Sequence, residues 1–283
     1  MNTQQANFEK ICDSPVAIYS PIEDNSGHVF VTALNGDIYK VEESQLELKF
    51  TTSGQPTAVV FDSQGSAFIA DPVHQAILGQ SEGETKEEIT PIIKDYEGIP
   101  LKGPHSLAYS PQTNMLYFSD SGQIGETNLS NTKGSLFVVD LELNVLKSIL
   151  HECLASPQGL CLSKDESKIY LCETCNNRIL RLLQNPGGVY HCSSFYQFSG
   201  RFGPTAIAMH NSGALFIARF DFNNCAKDGL ISVINENGEL LMELTVPGCP
   251  EITGLSFSKS NPNILYMTEN TNNSLLKILV SIK

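Results

Sequence analysis

The sequence predicts an all-β fold, a six-bladed β-propeller whose blades are four-stranded antiparallel sheets. Three observations predict this fold: a short segment recurs six times, alternating apolar strands follow each copy, and no stretch has convincing helical periodicity. Five of the six segments carry a proline, and the spacings between equivalent positions are 41, 48, 53, 47 and 48 residues. Such spacings are typical of four-stranded propeller blades. The blade-start segments are residues 14–18, 55–59, 103–107, 156–160, 203–207 and 251–255.

The clearest copy of the repeat is residues 156–183, SPQGLCLSKDESKIYLCETCNNRILRLL. After the Pro-x-Gly start come a short apolar strand, a Lys-Asp-Glu turn, an alternating strand at 169–172, an Asn-Asn turn and a third strand at 178–183. A small residue stands two places after most of the prolines. This pattern suits strands that crowd toward a central axis.

The same order of strands recurs in the other blades. Second strands are predicted at 29–32, 67–70, 115–119, 214–218 and 264–268. Fourth strands are plain in four blades, at 46–50, 145–150, 193–198 and 240–246. In the second blade the candidate fourth strand, 89–93, contains Pro91, so we expect an edge strand with that position unpaired.

The last blade has only three strands before the chain ends, which would leave an open ring with an exposed edge. We therefore expect residues 7–12 to supply its outer strand. The predicted organisation is a single propeller over 1–283, with blades starting near 14, 55, 103, 156, 203 and 251. Separate β-sandwich domains are the alternative, but they would need linkers, and no Pro/Ser/Gly-rich linker appears.

Composition excludes several partners. Lys and Arg number 18 against 31 Asp and Glu, a formal charge of -13, so no basic surface is expected for nucleic acid or anionic lipid. Neither a signal-peptide pattern nor a membrane-length apolar run occurs, and we predict a cytoplasmic location. The eight cysteines are predicted to be reduced thiols.

The topology predicts where a site would lie. The start of strand one and the end of strand two open on the same face of each blade, which we expect to carry the mouth of the central channel. An inner ring of side chains should surround it, formed by Val16, Thr57, His105, Gln158, Thr205 and Thr253, with Asp13 and Glu251 close by. A strand-end ring should follow, formed by Asp71, Asp120, Glu173, Arg219 and Glu269.

Both rings have two interpretations. Strand-end carboxylates commonly accept hydrogen bonds from the next turn, and threonine often satisfies nearby backbone. In the other interpretation His105, Asp120, Glu173 and Arg219 bind a ligand, and His105 is also the candidate catalytic residue.

Two further features are candidates. Cys172 and Cys175 have zinc-ligand spacing, but no second pair accompanies them, and a structural zinc site needs four ligands.

Two long polar loops, 121–133 and 220–228, are predicted to overhang the mouth, and Phe220 and Phe222 in the second either meet a partner or pack back on the rim. Serine-hydrolase, phosphate-loop and dinucleotide motifs are absent.

The pieces GPHSLAYSPQTNMLYFSDSG (103–122), ETCNNRIL (173–180) and RFGPTAIAMHNSGALFIARF (201–220) resemble the senescence-marker-protein/gluconolactonase/luciferin-regenerating-enzyme family and, more distantly, strictosidine synthase-like proteins. The resemblance runs from about residue 13 to 280. It implies a six-bladed propeller, which hosts many activities.

For the family's lactonases, the resemblance implies a divalent cation at the mouth that polarises the lactone carbonyl. The matching metal positions in this chain are Asp13, Gln158 and Thr205, and the substrate-contacting position is His105. One carboxylate with two neutral groups is a weak set for a hard cation such as Ca²⁺. We therefore expect no resident cofactor, with Ca²⁺ or Zn²⁺ at the mouth as the alternative.

The first functional hypothesis is a degenerate, non-catalytic propeller that binds protein partners or a small-molecule ligand, as a binding module or as a subunit of a larger assembly. The alternative is a metal-dependent hydrolase of lactones or related esters, with its site at the channel mouth.

Overall fold

The computed structural model describes residues 3–80, 89–123 and 125–280, and it confirms the six-bladed propeller of four-stranded antiparallel blades. Within these residues the regular structure is entirely β, so no helix among them is long and apolar enough to cross a membrane. The inner strand of each blade lies at the axis, and the fourth strand lies at the rim.

The strands of the first three blades are as follows. Blade one contains β3 (Ile18–Glu23), β4 (Val29–Ala33), β5 (Asp37–Glu42) and β6 (Gln45–Thr51). Blade two contains β7 (Ala58–Phe61), β8 (Ala67–Asp71), β9 (Ala76–Gln80) and β10 (Thr90–Ile93). Blade three contains β13 (Pro104–Ser110), β14 (Met115–Asp120), β15 (Gly134–Asp140) and β16 (Val145–Leu154).

The remaining blades follow the same order. Blade four contains β17 (Pro157–Leu162), β18 (Lys168–Glu173), β19 (Arg178–Asn185) and β20 (Val189–Gln197). Blade five contains β21 (Phe202–Met209), β22 (Leu215–Asp221), β23 (Gly229–Ile234) and β24 (Leu240–Val246). Blade six contains β25 (Ile252–Phe257), β26 (Ile264–Glu269), β27 (Ser274–Leu279) and, from the start of the chain, β2 (Phe8–Asp13).

The N-terminal segment closes the ring, as predicted. β2 pairs antiparallel with β27, from Phe8 opposite Ile278 to Asp13 opposite Ser274. A second contact was not predicted: β1 (Thr3–Gln5) pairs parallel with β24 and adds a fifth strand to blade five. Ala6 lies buried between the two strands, and its N–H donates to the Thr245 carbonyl at 2.8 Å. The start of the chain therefore links blades five and six.

Other differences concern strand ends and the link to blade three. The fourth strand β10 lies at the sheet edge, as predicted, but Pro91 lies opposite Leu78 in the register and is not left unpaired, and a bulge follows it before Ile93. A small hairpin, β11 (Asp95–Tyr96) with β12 (Ile99–Pro100), follows it and was not predicted. Two-residue strands carry no periodicity that a sequence pattern can detect.

The core lies between neighbouring blades. Side chains alternate along each strand, so both faces of a blade are apolar and pack on the next blade. Phe118 and Phe137 of blade three stack at 5.2 Å between ring centroids in a cluster shared with blade two. Ile207 and Ile217 of blade five join Tyr170 of blade four in another. Each such fully buried side chain contributes roughly 1.5–3 kcal/mol.

Small residues allow the inner strands to approach each other near the axis. An added methyl at Gly254 would lie 2.5 Å from Cδ of Pro21 and 2.8 Å from the Ser20 backbone nitrogen in the neighbouring blade. At Gly159 it would lie 2.8 Å from the Ala206 Cα. These contacts confirm that the small residue after the blade-start position is needed for strand crowding.

A chain of six hydrogen bonds, here called the hydroxyl belt, joins each blade to the next around the axis. Each bond uses one side-chain hydroxyl and one backbone group of the adjacent inner strand. The donor–acceptor pairs are Thr57 Oγ1 to His105 O (2.8 Å), Ser119 Oγ to Gln158 O (2.9 Å), Thr174 Oγ1 to Pro204 O (2.7 Å), Thr205 Oγ1 to Ile252 O (3.4 Å), Thr253 Oγ1 to Ile18 O (2.7 Å) and Val59 N to Ser20 Oγ (3.3 Å).

We predict that Gly254→Ala lowers the free energy of unfolding by about 1–3 kcal/mol, because the new methyl overlaps backbone of blade one. Urea denaturation measures the change. Gly79→Ala is the control, since its methyl would meet only the Ile92 side chain. Equal stability of the two variants would contradict close axial packing.

Thr253→Val tests the hydroxyl belt. The variant keeps the shape of threonine but leaves the Ile18 carbonyl without its hydroxyl donor, so we expect a loss of about 1–2 kcal/mol. Thr132→Val, in an exposed loop, is the control and should change stability by less than about 0.5 kcal/mol. A loss equal to that of the control would show that the belt contributes little.

Candidate functional site

A cavity of about 420 Å³ runs along the propeller axis, lined by the inner strands of all six blades. Its inner end lies at Thr57, His105, Thr205 and Thr253. Its other end lies at the turns between strands one and two, where the exposed residues Asn25, Ser63, Pro111 and Lys259 line it. The cavity therefore extends to the face opposite the one that the topology argument selected for the mouth.

The inner-ring threonines line this cavity, but their hydroxyls are already used. Thr57, Thr205 and Thr253 donate to backbone carbonyls in the hydroxyl belt. Val16 and Gln158, the other predicted members, do not line the cavity, although the Gln158 carbonyl accepts from Ser119. The threonines therefore act first as links between blades, which the alternation of the strands alone did not reveal.

Among the inner-ring residues, His105 is the one whose imidazole makes no hydrogen bond with any described residue. Its Nδ1 is shielded from solvent and has no hydrogen-bond partner among the described residues. Burial lowers the pKa of His105 from 6.5 to about 4, so the imidazole is neutral at pH 7. Since the side chain lines the cavity, Nε2 is the ring nitrogen available to a bound molecule.

Ser106 also lines the cavity, next to His105. A bulge between Pro104 and Ser106 in the pairing of β13 with β14 interrupts the regular alternation there. The Ser106 hydroxyl makes no hydrogen bond with the described residues, whereas its N–H donates to Ser119 Oγ at 3.1 Å. The signal for it was present in the sequence, because the equivalent positions of the other blades hold only Ala or Gly.

The strand-end ring lies outside the cavity, and its carboxylates bind the connecting segments. Asp71 accepts from the Thr52 hydroxyl at 2.7 Å and from the Gln55 N–H at 3.1 Å. Asp120 accepts from the backbone N–H groups of Lys102 and Gly103 at 3.0 and 2.7 Å. Burial raises the pKa of Asp120, while these N–H groups oppose the rise.

Glu173 and Glu269 have comparable surroundings. Glu173 accepts from the Ala155 N–H at 2.9 Å and pairs with Arg178 Nε at 2.6 Å. Glu269 accepts from the N–H groups of Thr271 and Asn272 in the following turn. All four of these acids therefore hold a crossing segment or turn, and a ligand role for Asp120 and Glu173 stays a prediction.

Arg219 is buried beside blade five's outer strand. Its guanidinium donates to the Phe202 carbonyl at 3.0 Å, approaches Glu243 at 3.4 Å and stacks over the Phe198 ring at 4.2 Å. Burial lowers its pKa, and Glu243 opposes that shift. The strand continues two residues beyond Arg219 to Asp221, which binds the Ala226 N–H at 2.9 Å. The strand-end acid of this blade is thus Asp221, which the sequence analysis missed by ending the strand at residue 218.

The positions implied for a divalent metal do not form a fitting donor set. Asp13 lies on the outer strand of blade six, with its carboxylate 63% exposed and 2.9 Å from Lys10 Nζ. The Thr205 hydroxyl faces the backbone carbonyls of Ala218 and Ile252. Only Asp13 carries charge, and the described residues contain no group of three His, Cys, Asp or Glu suited to a metal ion.

Cys172 and Cys175 differ in burial, since Cys172 is fully buried and Cys175 is partly exposed. Burial raises the pKa of both thiols, so neither is a ready thiolate at neutral pH. All eight cysteines are free thiols, as the composition predicts.

Phe220 lies near the end of β22 and Phe222 just after it, and their rings meet edge to face at 5.1 Å. Phe220 is half-buried, whereas Phe222 is 55% exposed. Packing back on the propeller is therefore seen for Phe220, and a partner for Phe222 stays a prediction. In the other long loop, 121–133, residue 124 lies outside the described residues; Thr127 is buried and donates to the Ser121 carbonyl at 2.7 Å.

The fold and the axial cavity define a six-bladed β-propeller with a small-molecule-sized site along its channel. The chain belongs to the SMP-30/gluconolactonase/LRE-like family, whose sequence profile matches residues 20–271. This confirms the resemblance inferred from the blade-start motifs.

Curated relatives are distant. The chain is 25% identical over 247 residues to Protein STRICTOSIDINE SYNTHASE-LIKE 10 of Arabidopsis thaliana, covering 81% of this chain and 64% of the relative. It is 23% identical over 248 residues to Lactonase drp35 of Staphylococcus aureus, covering 81% and 69% respectively. The chain thus spans about two-thirds of the length of these relatives.

Among solved structures, the calcium-binding protein regucalcin of Agrobacterium tumefaciens matches with a TM-score of 0.81 at 14% identity, covering 98% of this chain and 95% of that one. At this identity the match shows the shared fold.

The lowered pKa of His105 predicts an acid-dependent loss of stability. The folded chain holds this imidazole neutral down to about pH 4, whereas the unfolded chain protonates it near 6.5. Stability is therefore full above pH 6.5 and falls by up to about 3 kcal/mol as the pH drops to 4. We expect His105→Gln to remove this part of the pH dependence, as measured by urea denaturation between pH 4 and 7.5.

His191→Gln is the matched control, because His191 is exposed on an outer strand. The control should retain the pH dependence of the parent protein. An unchanged pH profile in His105→Gln would contradict the assigned pKa.

Proposed function

We propose that the protein is a lactonase-type hydrolase that cleaves a small lactone or ester inside the axial cavity. The observation that carries this proposal is the His105 imidazole, which is neutral at pH 7, has no hydrogen-bond partner among the described residues and lines a cavity of about 420 Å³. Cavities of this size accommodate small organic molecules. Relatives named as lactonases support catalysis over the non-catalytic interpretation.

The chemistry assigned to the chain's own residues is general base catalysis. Nε2 of His105 accepts a proton from a water molecule whose oxygen attacks the substrate carbonyl carbon. The Ser106 hydroxyl donates a hydrogen bond to the carbonyl oxygen as negative charge develops there. The C–O bond of the lactone or ester then breaks, and protonated His105 returns the proton to the leaving oxygen, which yields a hydroxy acid or an acid and an alcohol.

No step is assigned to a metal ion, because Asp13, Gln158 and Thr205 do not offer the charged oxygen ligands that a dication needs. The alternative is a Ca²⁺ or Zn²⁺ site, since the structural relative regucalcin is a calcium-binding protein. Calorimetric titration tests it: we expect no tight stoichiometric binding of either ion, and tight binding would contradict the metal-free mechanism.

The second candidate is a propeller of the same family that binds a small molecule or a protein without turnover, in the cytoplasm. The observation that favours it is the same departure at Asp13, Gln158 and Thr205 from the donors implied for a metal-dependent lactonase.

Hydrolysis of δ-octalactone and p-nitrophenyl butyrate tests the proposal, with acid release followed in a pH-stat. We expect His105→Gln to lower kcat/KM by at least about 100-fold, since general base catalysis contributes 10²–10⁴-fold. Ser106→Ala should lower kcat by about 10-fold or more through loss of one hydrogen-bond donor. The parent rate should rise with pH through the His105 pKa of about 4 and level off by pH 6.

His191→Gln serves as the control and should keep the full rate. EDTA should leave the parent rate unchanged. Hydrolysis no faster than the buffer reaction, or full activity in His105→Gln, would contradict the proposed function and favour binding without turnover.

A further inference from the structure

The repeat places one large side chain from each blade around the open end of the cavity, a feature here called the apolar collar. The collar consists of Ile22, Phe61, Tyr109, Leu162, Met209 and Phe257. Five of these residues stand four positions after the inner-ring residue of their blade, and in blade one a bulge between Tyr19 and Ile22 brings in Ile22. All six are partly buried and pack against the clusters between the blades.

The collar is held in place by contacts outside the cavity. The Phe61 ring packs on Phe30 at 4.8 Å, and the Phe257 ring packs on Phe216 at 5.1 Å. The Tyr109 hydroxyl is 3.0 Å from both Ser63 Oγ and Asn114 Oδ1, so its polar end is satisfied at the rim. The surfaces that these rings leave to the cavity are apolar and preformed.

Few polar side-chain groups inside the cavity are free. The three threonine hydroxyls at its inner end donate in the hydroxyl belt. Apart from the weakly polar Cys161 thiol, this leaves the His105 ring and the Ser106 hydroxyl as interior side-chain groups without a hydrogen bond to described residues. Side chains beside the collar therefore offer one polar contact point for a ligand, and the collar itself offers only apolar surface and the Tyr109 hydroxyl, which is already bonded. A ligand with one polar group and an apolar body matches this distribution.

The rim carries groups of both charges, and carboxylates outnumber ammonium groups among those named here. The Lys259 Nζ ammonium donates to Asn25 Oδ1 at 3.3 Å and lies near the carboxylates of Glu23 and Asp24. The rim carboxylate of Asp62 accepts from the N–H groups of Gln64 and Ser66 in its own turn. The Lys259 ammonium is thus already matched by carboxylates, and the opening does not favour an anionic ligand.

From these observations we infer that the axial cavity binds an uncharged small molecule with an alkyl or aryl body and a single polar group, which enters through the apolar collar from the strand one–strand two face. The apolar body lies against the collar, and the polar group reaches His105 and Ser106. Where the proposed function holds, this inference names its substrates as apolar lactones or esters, in contrast to sugar lactones. The binding site itself does not depend on turnover.

The test measures binding with the uncharged fluorophore N-phenyl-1-naphthylamine, whose signal is clean because the chain has no tryptophan. Displacement by 1-butanol through 1-octanol should strengthen about fourfold for each added methylene, as expected for burial of hydrocarbon. D-Sorbitol should not displace the probe. Absence of probe binding, or displacement independent of chain length, would overturn the inference.

Two variants locate the site. Met209→Gln and Leu162→Gln lie in different blades, and each should weaken probe binding about tenfold or more by placing an amide in the collar. Leu143→Gln is the matched control, because Leu143 is 69% exposed on an outer turn. Circular dichroism and thermal unfolding identify any variant that fails to fold. An equal effect of the folded collar variants and the control would overturn the assignment.

His105→Gln separates this inference from the proposed function. The variant should retain measurable probe binding, because the collar is intact and glutamine keeps a polar group at this position, while hydrolysis falls by at least about 100-fold. Probe binding without any hydrolysis by the parent protein would reject the proposed function and leave the binding site standing. Hydrolysis of δ-octalactone with no collar dependence would do the reverse.

Discussion

The structure depends on the close approach of six inner strands around one axis. Each inner strand is the edge of its sheet, so its outward backbone groups need partners from outside the blade. The hydroxyl belt supplies one such bond per blade boundary, at 2.7–3.4 Å, and small residues such as Gly159 and Gly254 make the approach possible. The blades therefore hold a fixed spacing, and the size of the cavity follows from it.

This constraint also explains the chemistry left in the cavity. Most polar side chains that could bind a ligand already make hydrogen bonds within the protein. The threonines link neighbouring blades, and the strand-end acids bind crossing segments and turns. His105 differs because its backbone carbonyl joins the belt while its side chain does not. A single neutral imidazole beside a serine, in a channel that ends in an apolar collar, supports a narrow range of reactions and ligands.

Family membership therefore identifies the fold of this chain, whereas its activity has to be argued from the residues of the site. The propeller and its motifs are shared across the SMP-30/gluconolactonase/LRE-like family, whereas the positions that resemblance assigns to a metal have changed at Gln158 and Thr205. Asp13 retains a carboxylate but pairs with Lys10. The Thr205 hydroxyl has a structural role instead, since it donates to the Ile252 carbonyl of the next blade.

The sequence by itself determined the number of blades, their order and the closing strand β2, because proline, turns and period-2 alternation are local signals that recur six times. Only the tertiary structure decided which polar side chains are free. Thr57 and His105 occupy equivalent positions in the repeat, yet the hydroxyl meets a carbonyl of the next blade and the imidazole does not. Packing between blades likewise set three features that no local pattern records. These are the parallel strand β1, the end of β22 at Asp221 and the face to which the cavity extends.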